Sequence, residues 1–238
     1  MADSGGHEPL VVESLEVVSK VGERGWQHAG MASRRVTAKT KIFELSVVLQ
    51  NVRPPVRRRV QVPGEITLAE LHQVLQLAMG WTDSHLHEFD VAGTRYGSQD
   101  PDFGLDEVAD ETKVKLFRLV GEGDQLEYVY DFGDGWAHTV TVEKVLPVEA
   151  GVRYPRCVSG RRACPPEDVG GPWGYGEFLA AIADPEHAEH AEFLDWVGGG
   201  FDPKAFHTAE VDEAFDLIAW VPLRSSAAAS PPSMGAWT

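Results

Sequence analysis

Three short stretches hold the residue types that do chemistry. His85-Leu86-His87 sets two imidazoles two positions apart. On an extended chain such residues share a face, so both could reach one Zn²⁺ or Fe²⁺ ion. Tyr130-Asp-Phe-Gly-Asp-Gly-Trp-Ala-His138 places Asp131 and Asp134 around a glycine turn, with Trp136 and His138 directly after. Together His85, His87, Asp131, Asp134 and His138 form a candidate ligand set for a divalent metal, or an acid–base group, with Glu88 or Glu167 as general base. The same residues also have plain structural uses. Asp134-Gly135 suits a tight turn, since both residues tolerate positive φ. His138 alternates in phase with Trp136, Val140 and Val142 and so points toward the core, where it needs only a hydrogen bond. One of His85 and His87 can pack beside Phe89 while the other bonds a loop.

The third stretch is Cys157-Val-Ser-Gly-Arg-Arg-Ala-Cys164-Pro-Pro-Glu-Asp-Val-Gly-Gly171. Its cysteine spacing is not that of a zinc knuckle, and both thiols serve equally well as small apolar packers. Pro165-Pro166 and Gly170-Gly171-Pro172 imply a rigid exposed loop, the kind of segment that carries binding residues. Cys164, Glu167, Asp168, Trp173 and Tyr175, with Trp136, are therefore candidates for a binding loop. One basic cluster stands out, Arg57-Arg58-Arg59. Alternation sends Arg57 and Arg59 to one face and Arg58 to the other, so a continuous patch for phosphate or nucleic acid is the weaker reading and an edge strand guarded by charge the stronger.

The elements that must position these residues are legible from periodicity. Phe43, Leu45, Val47 and Leu49 alternate with polar residues as a strand with one buried face, and Val56–Val62 resumes as a second. Thr67 with Glu70 makes a capping box, Leu68, Leu71, Val74, Leu75 and Ala78 form a helical stripe, and Gly80 supplies the left-handed cap. His85–Val91 reads as a strand that turns at Ala92-Gly93. Lys113–Val120 leans to a helical turn. Gln125–Asp131 and Trp136–Leu146 form a hairpin. One late helix carries Tyr175, Phe178, Leu179 and Ile182, and another is expected from Asp184 as N-cap to Gly198. A last amphipathic stretch holds Val211, Phe215 and Ile218. Early strands and late helices predict an α+β fold, with an antiparallel or mixed sheet, helices on one side, and most helices in the C-terminal half.

The chain has 238 residues and a formal net charge of −16. Residues 81–136 hold fourteen acids against four bases, whereas 1–39 hold five of each. This disfavours broad affinity for nucleic acid, which attracts clustered lysine and arginine. No apolar run is long enough to span a membrane, the start lacks the layout of a secretory signal, and two cysteines are too few for a disulfide scaffold. A cytoplasmic protein with no membrane partner is expected. The expected organisation is a flexible extension at 1–39, a domain at 40–221 and a disordered tail at 222–238, rich in serine, alanine and proline.

Five blocks of this chain resemble one family in its order. They are Pro54–Pro63 leading to Leu71-His72; Gly80-Trp81 with His85-Leu-His-Glu-Phe89; Tyr130–His138; Ala163-Cys-Pro-Pro-Glu-Asp-Val-Gly-Gly-Pro172; and Phe201-Asp-Pro-Lys-Ala-Phe206. The family is named after the third open reading frame of a root-inducing (pRi-type) plasmid, and its members are often labelled TnpR or insertion-element passenger protein. The resemblance covers about residues 40–220 and implies an α+β domain found near mobile elements. This chain departs from the family at Arg57, where tryptophan is common, and at Val169, where many relatives carry a third cysteine. No complete set of nucleophile, base and oxyanion donor can be assembled from the residues. The leading expectation is an accessory protein that binds a protein partner in a regulatory role, with no defined cofactor. The alternatives are a metal-dependent hydrolase or nuclease-like enzyme, and a sequence-specific DNA-binding protein.

Overall fold

The computed structural model describes residues 40–99 and 108–217; the expected extension at 1–39, the tail at 222–238 and Ile218 lie outside the described residues. The fold is built on one mixed sheet. Strand β1 (Lys41–Leu49) pairs antiparallel with β2 (Arg57–Pro63), setting Phe43 opposite Val62 and Leu45 opposite Val60. Helix α1 (Leu68–Met79) follows. The hydroxyl of Thr67 accepts the Glu70 amide at 3.2 Å, and the Glu70 carboxylate accepts the Thr67 amide at 2.6 Å. Gly80 closes the helix at φ 91°, open to glycine at no steric cost.

Strands β3 (His87–Val91), β4 (Thr94–Gly97) and β5 (Ala109–Asp110) come next, then a 3₁₀ turn at Leu116–Arg118 where a helical turn is expected. The expected hairpin is β6 (Gln125–Tyr130) with β7 (Trp136–Pro147), and it sets Tyr130 opposite Trp136 and Tyr128 opposite His138. Strand β8 (Arg156–Arg161) completes the sheet, whose order is β5-β4-β3-β6-β7-β1-β2-β8. Among the described strands only the β4–β5 pair is parallel. Three of the four described helices are late: α2 (Gly171–Ala183), α3 (His190–Trp196) and α4 (Thr208–Phe215). This is the expected α+β arrangement, and no described helix is long and apolar enough to cross a membrane.

One sheet face carries Phe43, Leu45, Val47, Val60, Val62, Phe89, Leu126, Tyr128, Trp136 and Val140, all buried. Helix α1 closes this face with Leu68, Leu71, Val74 and Leu75. Each large side chain removed from water contributes roughly 1.5–3 kcal/mol, which makes this face the main source of stability.

Three expectations are corrected. Strand β2 is not an edge, because β8 pairs along it. The six residues of β8 lack clean alternation, so periodicity missed it. Arg58 is therefore buried; its Nε donates to the Ala78 carbonyl at 2.7 Å and its Nη1 to Arg161 and Arg162 carbonyls at 3.2 and 2.9 Å. A guanidinium thereby satisfies one carbonyl in the last turn of α1 and fastens β8. Second, Asp184 ends α2 instead of opening α3. Its Oδ1 accepts the Glu186 amide at 3.0 Å, a local turn that outcompetes the helical start. Third, β3 begins at His87, and His85 lies in the bend before it.

Candidate functional site

The start of β3, the end of β6 and the start of β7 meet at one end of the sheet. The turn joining β6 to β7 is built by Asp131, which sits at φ 54°. Its Oδ1 accepts the amides of Gly133 at 2.9 Å and Asp134 at 3.3 Å, so the side chain stands in for a missing backbone partner. Phe132 at the tip is 48% exposed.

The loop from β8 to α2 folds onto this turn. Gly170 donates its amide to Asp134 Oδ2 at 3.3 Å. A Cβ on Gly171 would lie 2.4 Å from the Asp134 carbonyl oxygen, so only glycine admits the close approach. Further back, Trp81 Nε1 donates to the Pro165 carbonyl at 3.0 Å, and Glu167 accepts from the Tyr130 hydroxyl at 2.5 Å and from the Thr82 hydroxyl. Burial and the neighbouring Glu167 carboxylate push the Tyr130 phenol far up, so it stays protonated and donates. The loop is thus fastened at three points, and it leaves Asp168 and Trp173 outward, the latter 75% exposed.

On this rim His85, Asp131 and Asp168 converge. His85 Nε2 is 3.2 Å from Asp168 Oδ1 and 3.7 Å from Asp131 Oδ2. The nitrogen is shielded from solvent and has no hydrogen-bond partner. The 3.2 Å approach satisfies ion-pair distance without hydrogen-bond alignment. One ligand atom from each of the three lies within 4.8 Å of the others.

A second polar cluster lies inside, under α1. The rings of His72 and His87 stack 3.4 Å apart at an interplanar angle of 4°. Tyr128 accepts from Gln76 at 2.9 Å and so donates its own proton to His72 Nδ1 at 2.8 Å. That assignment leaves the His72 ring proton on Nε2, facing Asp83 Oδ1 at 2.7 Å. His87 Nε2 faces the buried Glu111 carboxylate at 2.8 Å. Burial pulls His72 below the usual imidazole range, so it is neutral.

The structure therefore divides the residues expected to share one ion. His85 and Asp131 come together and recruit Asp168. His87 belongs to the interior cluster, because the bend before β3 breaks the two-residue period that would align it with His85. Asp134 is engaged by Gly170 instead of facing His85. His138 is fully buried, with Nδ1 3.3 Å from the Tyr128 carbonyl and burial pushing it down to about 4. Of the expected binding-loop residues, Asp168 and Trp173 face outward and Glu167 is half-buried. Trp136 and Tyr175 are buried and support the loops from beneath, and Cys164 is half-buried with its thiol pushed up by burial. Both cysteines are free.

The sequence reading missed Phe132 at the turn tip, and His72, Asp83 and Glu111 inside. His72 carried a signal, a histidine within the buried stripe of α1 beside Leu71 and Leu75. Asp83 and Glu111 carried none, since their role depends on contacts between separate segments.

The family model described as plasmid pRiA4b ORF-3-like protein matches residues 41–210. The chain is 44% identical over 181 residues to "Uncharacterized protein y4hQ" of Sinorhizobium fredii (strain NBRC 101917 / NGR234), covering 75% of this chain and 92% of that one. The crystal structure of a protein of unknown function, MM3350 from Methanosarcina mazei Go1, is similar at a TM-score of 0.67 and 38% identity, covering 72% of this chain and 97% of that chain.

Proposed function

From the premise that this chain belongs to the plasmid pRiA4b ORF-3-like family, whose matched relatives carry no named activity, we propose that it is an accessory module acting by binding a protein partner through the rim of the sheet. The observation that carries this reading is the fastening of two loops, 131–135 and 165–171, into one preorganised surface. Phe132 stands exposed in the first loop, Asp168 is exposed in the second, and Trp173 stands exposed in the first turn of α2, into which the second loop leads. Large aromatics that protrude from an anchored, rigid frame lose little entropy on binding and are typical anchors of an interface. The surrounding acidity suits a basic partner.

Other features support the same reading. Glu88 pairs with Arg95 at 3.3 Å and Glu167 is held by Tyr130 and Thr82, so neither stands free as a general base. Of the three consecutive arginines, Arg58 is buried and Arg59 pairs with Glu143 at 2.7 Å, so this run does not present three free guanidinium groups to a nucleic acid. An association with mobile elements stays part of the proposal through the family alone.

The test uses the full-length protein as bait in its own host, beside a Phe132→Ala/Trp173→Ala variant of equal thermal stability. A protein retained by the wild type and lost from the variant supports the reading. Identical retention profiles contradict it.

A further inference from the structure

We propose that His85, Asp131 and Asp168 form a binding site for a first-row divalent cation in the Mn²⁺ to Zn²⁺ range. The spacing is the first argument. Metal–ligand bonds of about 2.0–2.2 Å put neighbouring ligand atoms roughly 3–3.6 Å apart. The His85 Nε2 separation of 3.2 Å to Asp168 Oδ1 falls within that range, and the 3.7 Å to Asp131 Oδ2 lies just above it.

The second argument is the orphaned nitrogen. Buried polar atoms almost always find a partner, yet His85 Nε2 is shielded and has no hydrogen bond, although two carboxylate oxygens lie beside it. A cation placed between the nitrogen and the two oxygens satisfies all three atoms. A proton on Nε2 does not, since neither oxygen is aligned to accept it.

The third argument is that each ligand is already oriented by other groups. Asp131 spends Oδ1 on the Gly133 and Asp134 amides and presents Oδ2 to the cluster. The His85 ring packs edge-on against Tyr130, whose hydroxyl is fixed by Glu167 and by the Ser84 amide. Asp168 arrives on the loop that Gly170 fastens to Asp134. Such outer partners are what holds metal ligands in register. Asp168 is exposed, so the open side of the ion would carry water. One imidazole with two carboxylates and no thiolate favours the stated cations over Cu⁺, which prefers sulfur, and over Ca²⁺, which prefers oxygen alone.

The interior cluster does not offer the same site. The His72 and His87 rings are stacked and parallel, so their in-plane lone pairs run side by side instead of converging, and each ring already has its own carboxylate. The rim ion would tie together the 84–86 bend, the 131–135 turn and the 165–171 loop. It stands on its own geometry whether or not the partner reading holds.

The experiment is a calorimetric titration of chelator-stripped, full-length protein with Co²⁺, read in parallel by the visible absorption of bound Co²⁺. The wild type is compared with His85→Gln, Asp168→Asn and Asp83→Asn. The expected result is one Co²⁺ per chain, binding lost in His85→Gln, weakened about tenfold or more in Asp168→Asn, and unchanged in Asp83→Asn. Absence of binding at millimolar Co²⁺, Zn²⁺ and Mn²⁺ overturns the proposal. So does binding that survives both rim substitutions, or binding lost in Asp83→Asn and kept in Asp168→Asn. Should His85→Gln fail to fold by circular dichroism, Asp168→Asn decides alone, because its exposed side chain carries little of the fold.

Discussion

Two histidine clusters sit either side of Tyr130, and they differ in almost every physical respect. Inside, His72 and His87 are stacked and buried, His72 bonded to Tyr128 and Asp83 and His87 to Glu111. On the rim, His85 faces two carboxylates, has an unsatisfied nitrogen and opens toward solvent through Asp168. A saturated polar network rigidifies and specifies a core. The unsaturated one on the rim is where we propose that a cation binds. The same residue types, two positions apart in the chain, therefore serve scaffold and surface respectively.

The sharpest way to break this contrast is to remove an interior histidine. His87→Ala leaves the Glu111 carboxylate buried without its partner, and we expect a loss of about 3–5 kcal/mol in chemical unfolding. A loss under about 1 kcal/mol would show that the interior cluster is not structural. Next in size is a pH effect. His138 is pushed down to about 4 by burial, below the roughly 6.5 of an unfolded histidine. The unfolded chain then binds the extra proton first, so this contribution is complete above about pH 6.5 and is lost as pH falls toward 4. It amounts to about 3 kcal/mol at most. The difference in unfolding free energy between wild type and His138→Phe should shrink or reverse over that window; a constant difference would show that the imidazole does not titrate with folding.

Tyr128→Phe removes the hydroxyl that bridges Gln76 and His72, with an expected loss of about 1–3 kcal/mol. Smallest is Asp168→Asn on the rim, which we expect to leave stability within about 0.5 kcal/mol in metal-free buffer. A larger destabilisation would make the rim part of the scaffold and erase the distinction.

The scaffold was largely legible in the sequence because its causes are local. Alternation in Phe43–Leu49 and in the β6–β7 hairpin, the Thr67–Glu70 box and the Gly80 cap each act within a few residues, and all appear in the fold. Strand β8 was not legible, since its place is set by pairing with β2 and by the buried Arg58. The candidate site was half legible. Composition flagged His85, Asp131 and Asp168, but their convergence depends on a loop that returns from β8 to meet a turn after β6. Grouping His85 with His87 failed because one bend before β3 cancels the strand period.

The central claim is that the rim, and not the rest of the sheet, is where this protein meets its partner. It is tested most directly by site-specific photo-crosslinking in the native host, with the reactive side chain placed at Trp173 and, for comparison, at Thr139 on the half-exposed polar sheet face. The account predicts one discrete crosslinked species from position 173 that disappears with Phe132→Ala, and none from position 139. Crosslinking from 139 that equals or exceeds that from 173, or a species from 173 that is indifferent to Phe132→Ala, would contradict it.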